Sequence, residues 1–268
     1  MNFPKLPKSR KIGTVMLSAA TFFASAMVAN AGTPTPPVKA NTTFEVTVTC
    51  PIDGQPFKTR QVASYFQSGM RLDFKPIGAL IVPYPYPVCP GNGFVIYQQE
   101  FSAVEITAIR AIVATDEYRR LRAENTDYFV VAYVKERMGA AAYELGHTYL
   151  RATWEAERDV PRLVQRYREL ALEKFNAFVH GKRGGSEDWW TASVLAAELD
   201  RLLGHFDAVE TRYNALPLSE MSTSYPDLKN VLDQIRAHAL RHNSRPEQML
   251  MHEIDEGTIG RRVTLEMK

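Results

Sequence analysis

The hydrophobic period changes once along this chain, at Ser102, and that change limits the available folds more than any motif does. From Thr43 to Glu100, apolar residues alternate with polar ones and Gly or Pro interrupts them every few positions. Such alternation belongs to short strands with one buried face. "TFEVTVT" sets Phe44, Val46 and Val48 against polar neighbours, and "FKTRQVASYF", "MRLDFKPI", "ALIV" and "GFVIYQ" predict further short strands. From Ser102 to about His242 the spacing becomes three to four. "SAVE" opens this part with Ser102 and Glu105 at capping-box spacing, predicting a helix to about Val113. "DEYRRLRAEN", "YFVVAYVKERMG", "AAAYELGHTYLRATWEAE", "PRLVQRYRELALEKFNAFVHG", "SEDWWTASVLAAELDRLLG", "FDAVETRYNALPL" and "PDLKNVLDQIRAHALRH" continue as helices with short connections. The fold class is α+β: a small β-rich unit over 43–100, then a mainly α stack of helical hairpins over 101–242. The remaining 243–268 form a C-terminal tail of weak periodicity, whose last ten residues are expected to be loose.

Residues 1–31 have the layout of an export signal. Lys5, Lys8, Arg10 and Lys11 precede an uncharged run from Ile12 to Val28, and Ala29 and Ala31 follow. Cleavage is expected between Ala31 and Gly32. The run is short and rich in Ala, Ser and Thr for an uncleaved membrane anchor, and no cysteine follows it to carry a lipid. "GTPTPPVKAN" then gives an extended linker over 32–42. Removing the leader takes away four of the 32 basic residues and none of the 30 acidic ones, which leaves a balance of −2. That near-neutral chain, with no basic stripe, is not expected to bind nucleic acid. Its most apolar remaining stretch, "IGALIVPYPYPV", contains three prolines and is not expected to span a membrane. The expected location is therefore the periplasm or the outside of the cell.

Motifs for common chemistries are thin. No Gly-x-Ser-x-Gly elbow, phosphate loop or dinucleotide fingerprint occurs, and "HGKRGG" has the wrong spacing for a phosphate loop. "ELGH" places Glu144 and His147 at the spacing of carboxylate-bridged metal helices, but no second copy exists. "HALRH" places His238 and His242 on one helical face without an obvious third ligand, and "MHEID" lacks the second histidine of a zincin helix. Tyr84 and Tyr86, between the prolines of "PYPYPV", form either a contact surface or a rigid approach to the turn that follows. In "DWWT", Trp189 and Trp190 lie about 100° apart around a helix, so one is expected to pack and the other to be partly exposed.

Two stretches carry a resemblance to known families. In "LAAELDRLLGHFDAVETRYNAL", Leu203-Gly204 ends one helix, Phe206 starts the next, and Val209, Tyr213 and Leu216 follow at apolar and aromatic positions. This resembles the second helix of a tetratricopeptide repeat, although Ala196, Ala197 and Asp200 depart from the first-helix pattern. The ordered set "CPIDGQPFKTR", "CPGNGFVIY", "ENTDYFVVAYVKERMG", "LRATW" and "LLGHFDAVETRYNAL", covering roughly Thr49 to His242, resembles a bacterial domain-of-unknown-function family. Its members begin with a zinc-ribbon-like pair of Cys-Pro-x-Cys knuckles and continue into tetratricopeptide-like helices. This chain would be a degenerate, exported member, because Asp53 and Asn92 stand where each knuckle's second cysteine would be.

The resemblance implies that Cys50 and Cys89, the only two cysteines and 39 positions apart, face each other across the place of the lost metal. In an oxidising compartment such a pair is expected to form a disulfide. Two alternatives stay open: a residual metal site using Cys50, Asp53 and Cys89, and a reactive thiol pair. No cofactor is expected. The leading expectation for function is a non-enzymatic, extracytoplasmic interaction or scaffold protein that binds a protein or peptide, because helical repeats commonly do so. Tyr84, Tyr86, Tyr143, His147 and Trp190 are the candidate contact residues. The runner-up is a metal-binding or thiol-redox protein centred on the two cysteines and Asp53.

Overall fold

Strands β1 (Asn41–Thr49) and β2 (Pro56–Tyr65) pair antiparallel, with Phe44 opposite Gln61, Val46 opposite Thr59 and Val48 opposite Phe57. The structure, a computed structural model, describes residues 41–78, 81–181, 184–250 and a two-residue strand at 263–264. The leader, most of the linker, and 251–262 and 265–268 of the tail lie outside the described residues. A second small hairpin joins β3 (Gln67–Met70) to β4 (Pro76–Gly78). Nine helices follow among the described residues: α1 (Ala103–Val113), α2 (Asp116–Glu124), α3 (Asp127–Arg137), α4 (Ala142–Asp159), α5 (Val164–His180), α6 (Glu187–Leu202), α7 (Phe206–Ala215), α8 (Leu218–Ser224) and α9 (Pro226–Ala239). The chain is α+β, with strands first and the helical stack after them. Consecutive helices from α3 to α7 pack side by side, and α9 lies against α6 and α7.

Local chemistry explains the helix starts. Glu105 N donates to Ser102 Oγ at 3.3 Å and Ser102 N donates to Glu105 Oε2 at 2.7 Å, completing the capping box at α1. Thr115 and Ser186 cap α2 and α6 through their hydroxyls. Thr126 precedes α3 without making such a bond, and the cap comes from elsewhere in the chain. The Tyr128 N–H donates to Glu155 Oε2 of α4 at 2.9 Å. In α4, Gly146 is set by packing: a Cβ there would stand 2.8 Å from the buried ring of Phe175 on α5, so the two helices approach closely only because the side chain is absent.

The strand expectations need correction. Phe44 is 40% exposed and Val46 and Val48 are only half-buried, so the predicted buried face of β1 is largely open. "GFVIYQ" forms no strand; Val95 makes one isolated bridge with Val88. Its apolar residues serve packing instead, with Phe94, Tyr97 and Phe101 meeting edge to face at centroid distances of 5.2–6.0 Å. In "MRLDFKPI", Met70 ends β3 and Pro76 and Ile77 begin β4, while the residues between them form a tight turn with Phe74 at φ 63°. Of "ALIV", Ile81 and Val82 are not strand, and Ala79 and Leu80 lie outside the described residues. Helix α8, with Met221 buried, was not predicted.

The change of period at Ser102 marks a change of secondary structure but not of core. One apolar core joins Cys50, Ile52, Cys89, Phe94 and Val95 to residues of α1–α6. A second joins Leu72 and Met249 to Trp190, Val194, Val209, Leu232 and Ile235. The tail takes part in the second: Leu72 N donates to Glu247 O at 3.0 Å and Met249 N to Met70 O at 2.8 Å, so residues 247–249 lie along β3. The two-residue strand β5 (Val263–Thr264) pairs with β2 at Tyr65 and Ser64. Among the described residues of the tail, Val263 and Thr264 thereby belong to the first sheet.

Buried charges hold these parts together. Asp73, almost wholly buried, accepts from Trp154 Nε1 at 2.8 Å and from Arg71 at 2.7 and 3.0 Å. Arg71, Lys75 and Arg168 all donate to Glu157; burial works against ionisation, but Arg71 and Lys75 hold the Glu157 carboxyl below its ordinary range. The tryptophan of "LRATW" thus anchors the β3–β4 turn to α4. On α6, Arg201 donates to both oxygens of Glu198 and to the carbonyls of Asn243 and Arg245, which fastens the tail.

Candidate functional site

The two knuckles match bond for bond. Cys50 N donates to Gln55 O and Gly54 N to Cys50 O; Cys89 N donates to Phe94 O and Gly93 N to Cys89 O, all at 2.9 Å. Gly54 and Gly93 sit at φ 75° and 70°, the left-handed conformation that glycine adopts without steric cost. Asp53 Oδ1 accepts from Gln55 N at 3.0 Å, and Asn92 Oδ1 accepts from Phe94 N at 2.9 Å. Cys50 and Cys89 form a disulfide with their Cα atoms 5.5 Å apart, and both are buried. Asn92 Nδ2 donates to Asp53 Oδ2 at 2.7 Å and lies 3.4 Å from Cys50 Sγ. A covalent bond and a side-chain hydrogen bond therefore occupy the four knuckle positions.

This arrangement leaves no ligand set around Asp53. The sulfurs bond each other, and both Asp53 oxygens accept hydrogen bonds. Among the described residues no three His, Cys, Asp or Glu side chains group as a metal site. Glu144 instead pairs with Lys135 at 2.6 Å. His238 lies beside Asn243, while His242 packs on Phe206. The knuckles dock on the helices through Ile52 O, which accepts from Arg110 at 2.9 Å, and Gly93 O, which accepts from the Tyr118 hydroxyl at 2.9 Å.

The aromatic candidates are engaged inside the fold. The Tyr84 hydroxyl donates to Arg60 O at 2.6 Å, Tyr84 O accepts from Tyr128, and Tyr86 packs on Tyr128 with centroids 4.6 Å apart. The "PYPYPV" run thus ties β2 to α3. Tyr143 and His147 lie one turn apart on α4, in the seam with α5, against Phe178 and Phe175 respectively. Burial, with Arg151 adding to it, lowers the His147 pKa to about 4. Trp190 is corrected most plainly: it is fully buried, and a ring without exposed surface offers nothing to a partner.

Its neighbour Trp189 is the ring at the surface, and it lines a feature the sequence reading missed. A cleft of about 460 Å³ opens between the end of α5, the start of α6 and α7. Val179, Trp189, Ala208, Ala215 and Leu216 give it a mainly apolar lining, with Arg212 at its edge. Trp189 is held by its Nε1, which donates to Val179 O at 3.2 Å. Arg212 is held by Asp200 at 2.5 Å and Asn176 at 2.6 Å. One sequence signal was available: Ala208, Thr211 and Ala215 recur at i, i+3 and i+7, a narrow small-residue face on α7 that leaves space.

Comparisons with protein-family models, curated proteins and solved structures find no match. Among the described residues no helix is long and apolar enough to cross a membrane.

Proposed function

We propose that this protein is a non-enzymatic interaction or scaffold protein of an oxidising, extracytoplasmic compartment, and that the α5–α6–α7 cleft takes an apolar segment of a protein partner. The cleft carries the reading: an accessible, mainly apolar concavity beside a rigidly held arginine suits an apolar anchor flanked by polar groups. The tetratricopeptide-like likeness of α6 and α7 supports it, with Gly204 at φ 82° between the helices and Val209 buried, since stacked helical hairpins commonly bind proteins. The buried disulfide supports the compartment. A metal site at Cys50, Asp53 and Cys89 would require free thiolates, whereas these sulfurs are bonded to each other; a thiol-redox role would require this buried disulfide to be reduced under mild conditions.

A photoreactive residue at Ala215 tests the cleft. It should crosslink an envelope protein, and Ala208→Glu, which places a charge in the cleft, should abolish the adduct while the melting temperature stays close to the parent's. The same adduct from the Glu variant, or from a control position at Arg119, would count against the proposal. For the compartment, the exported chain should begin at Gly32; finding Met1 on it would remove that part.

A further inference from the structure

The outer edge of β1 is open among the described residues, and its backbone parity is fixed by the knuckle. Cys50 N donates to Gln55 O, and these two residues continue the β1–β2 register, in which Thr49 faces Pro56 and Val48 faces Phe57. In an antiparallel pair, hydrogen-bonded and non-hydrogen-bonded positions alternate. Val48, Val46 and Phe44 therefore bond inward to β2, while Thr49, Thr47, Glu45 and Thr43 direct their N–H and C=O groups outward. Pro56, lacking an N–H, falls at a non-hydrogen-bonded position, as this parity requires. All four outward residues are exposed. Such an edge is usually protected by prolines, bulges or several charges; here the only charge in the strand is Glu45, and the one bulge of the pair inserts Ala63 in β2, not a residue of β1.

We propose that two copies of this chain pair through β1, antiparallel, about a twofold axis at Val46. Every register centred on a residue of the strand joins outward residues to outward residues, but those centred anywhere except Glu45, Val46 or Thr47 leave two or more of the four unpaired. One centred on Glu45 sets two carboxylates face to face, and one centred on Thr47 leaves Thr43 without a partner in the strand. The register centred on Val46 pairs Thr43 with Thr49 and Glu45 with Thr47 of the second copy, uses every outward group, and opposes no like charges. On the other face it sets Phe44 beside Val48 of the second copy and Val46 beside Val46, which covers the exposed Phe44 ring. The contact is isologous, so it closes as a dimer with a sheet continuous across both copies.

The test is the dimerisation constant of the purified, disulfide-bonded protein, from sedimentation equilibrium. Thr47→Lys should tighten the dimer by facing Glu45 of the second copy, and Thr47→Glu should weaken it, each roughly two- to thirtyfold because symmetry repeats the pair twice. Thr47→Pro removes an outward N–H that β2 does not use, so it should give a monomer that melts near the parent's temperature. A parent chain that stays monomeric at every concentration, or a constant shifted equally by Lys and Glu, would overturn the proposal.

Discussion

Asn92 donates to Asp53 across the knuckle pair at 2.7 Å, beside the disulfide that joins Cys50 to Cys89. The two side chains occupy equivalent places in equivalent turns, and each also accepts a backbone N–H two residues further on. Both are lesser contributors than the crosslink, because Asp53 is exposed and its bonds compete with water.

Closing a loop of 39 residues should contribute about 4 kcal/mol by the chain-entropy model. Cys50→Ser, Cys89→Ser and the double change should therefore each lower urea stability by a similar amount, since any of them removes the whole crosslink. Asp53→Ala should cost about 1 kcal/mol. Intact mass should rise by about 2 Da on reduction, with no thiol titrating beforehand. A larger loss at Asp53 than at either cysteine would refute this ranking.

Asp73→Ala should cost roughly 3–5 kcal/mol, because it leaves Arg71 without one of its two carboxylates in a poorly hydrated place. Trp154→Phe removes only one donor to Asp73 and should cost about 1–3 kcal/mol beyond its packing change. Urea titrations of the two variants measure the difference.

His147 titrates at about 4 in the folded protein, against roughly 6.5 when unfolded. Between these values the unfolded chain binds the proton and the native chain does not, so His147 lowers stability as pH falls from about 6.5 to 4, by up to about 3 kcal/mol in total. His147→Gln should remove that part of the slope. Burial pushes Glu198 up to about 7 despite Arg201; it acts with the opposite sign, as a loss of stability on raising pH from about 4.5 through 7, and is common to both proteins. Identical slopes in the two proteins below pH 6.5 would show that the imidazole is not shielded.

Gly146→Ala raises helix propensity by about 1 kcal/mol, yet it should destabilise. The new methyl meets Phe175 at 2.8 Å, and overpacking of this kind costs about 1–3 kcal/mol. A thermal melt showing stabilisation would mean that Phe175 has room to move.

By itself the sequence determined the change from strands to helices at Ser102, the capping box of Ser102 and Glu105, and the order of the helices other than α8. Each of these depends on backbone preferences and side-chain bonds within a window of a few residues. The Cys50–Cys89 disulfide was expected only through the resemblance to paired zinc-ribbon knuckles, which sets the two cysteine turns face to face. Tertiary structure alone decided which tryptophan is buried and that "GFVIYQ" packs on helices instead of pairing as a strand. It also placed Asp73 under Trp154, laid residues 247–249 along β3, and left a cleft where α7 presents alanines to Trp189. Those outcomes join residues from about 20 to more than 170 positions apart. Burial and charge pairing at such separations depend on which surfaces meet, and no local period encodes that.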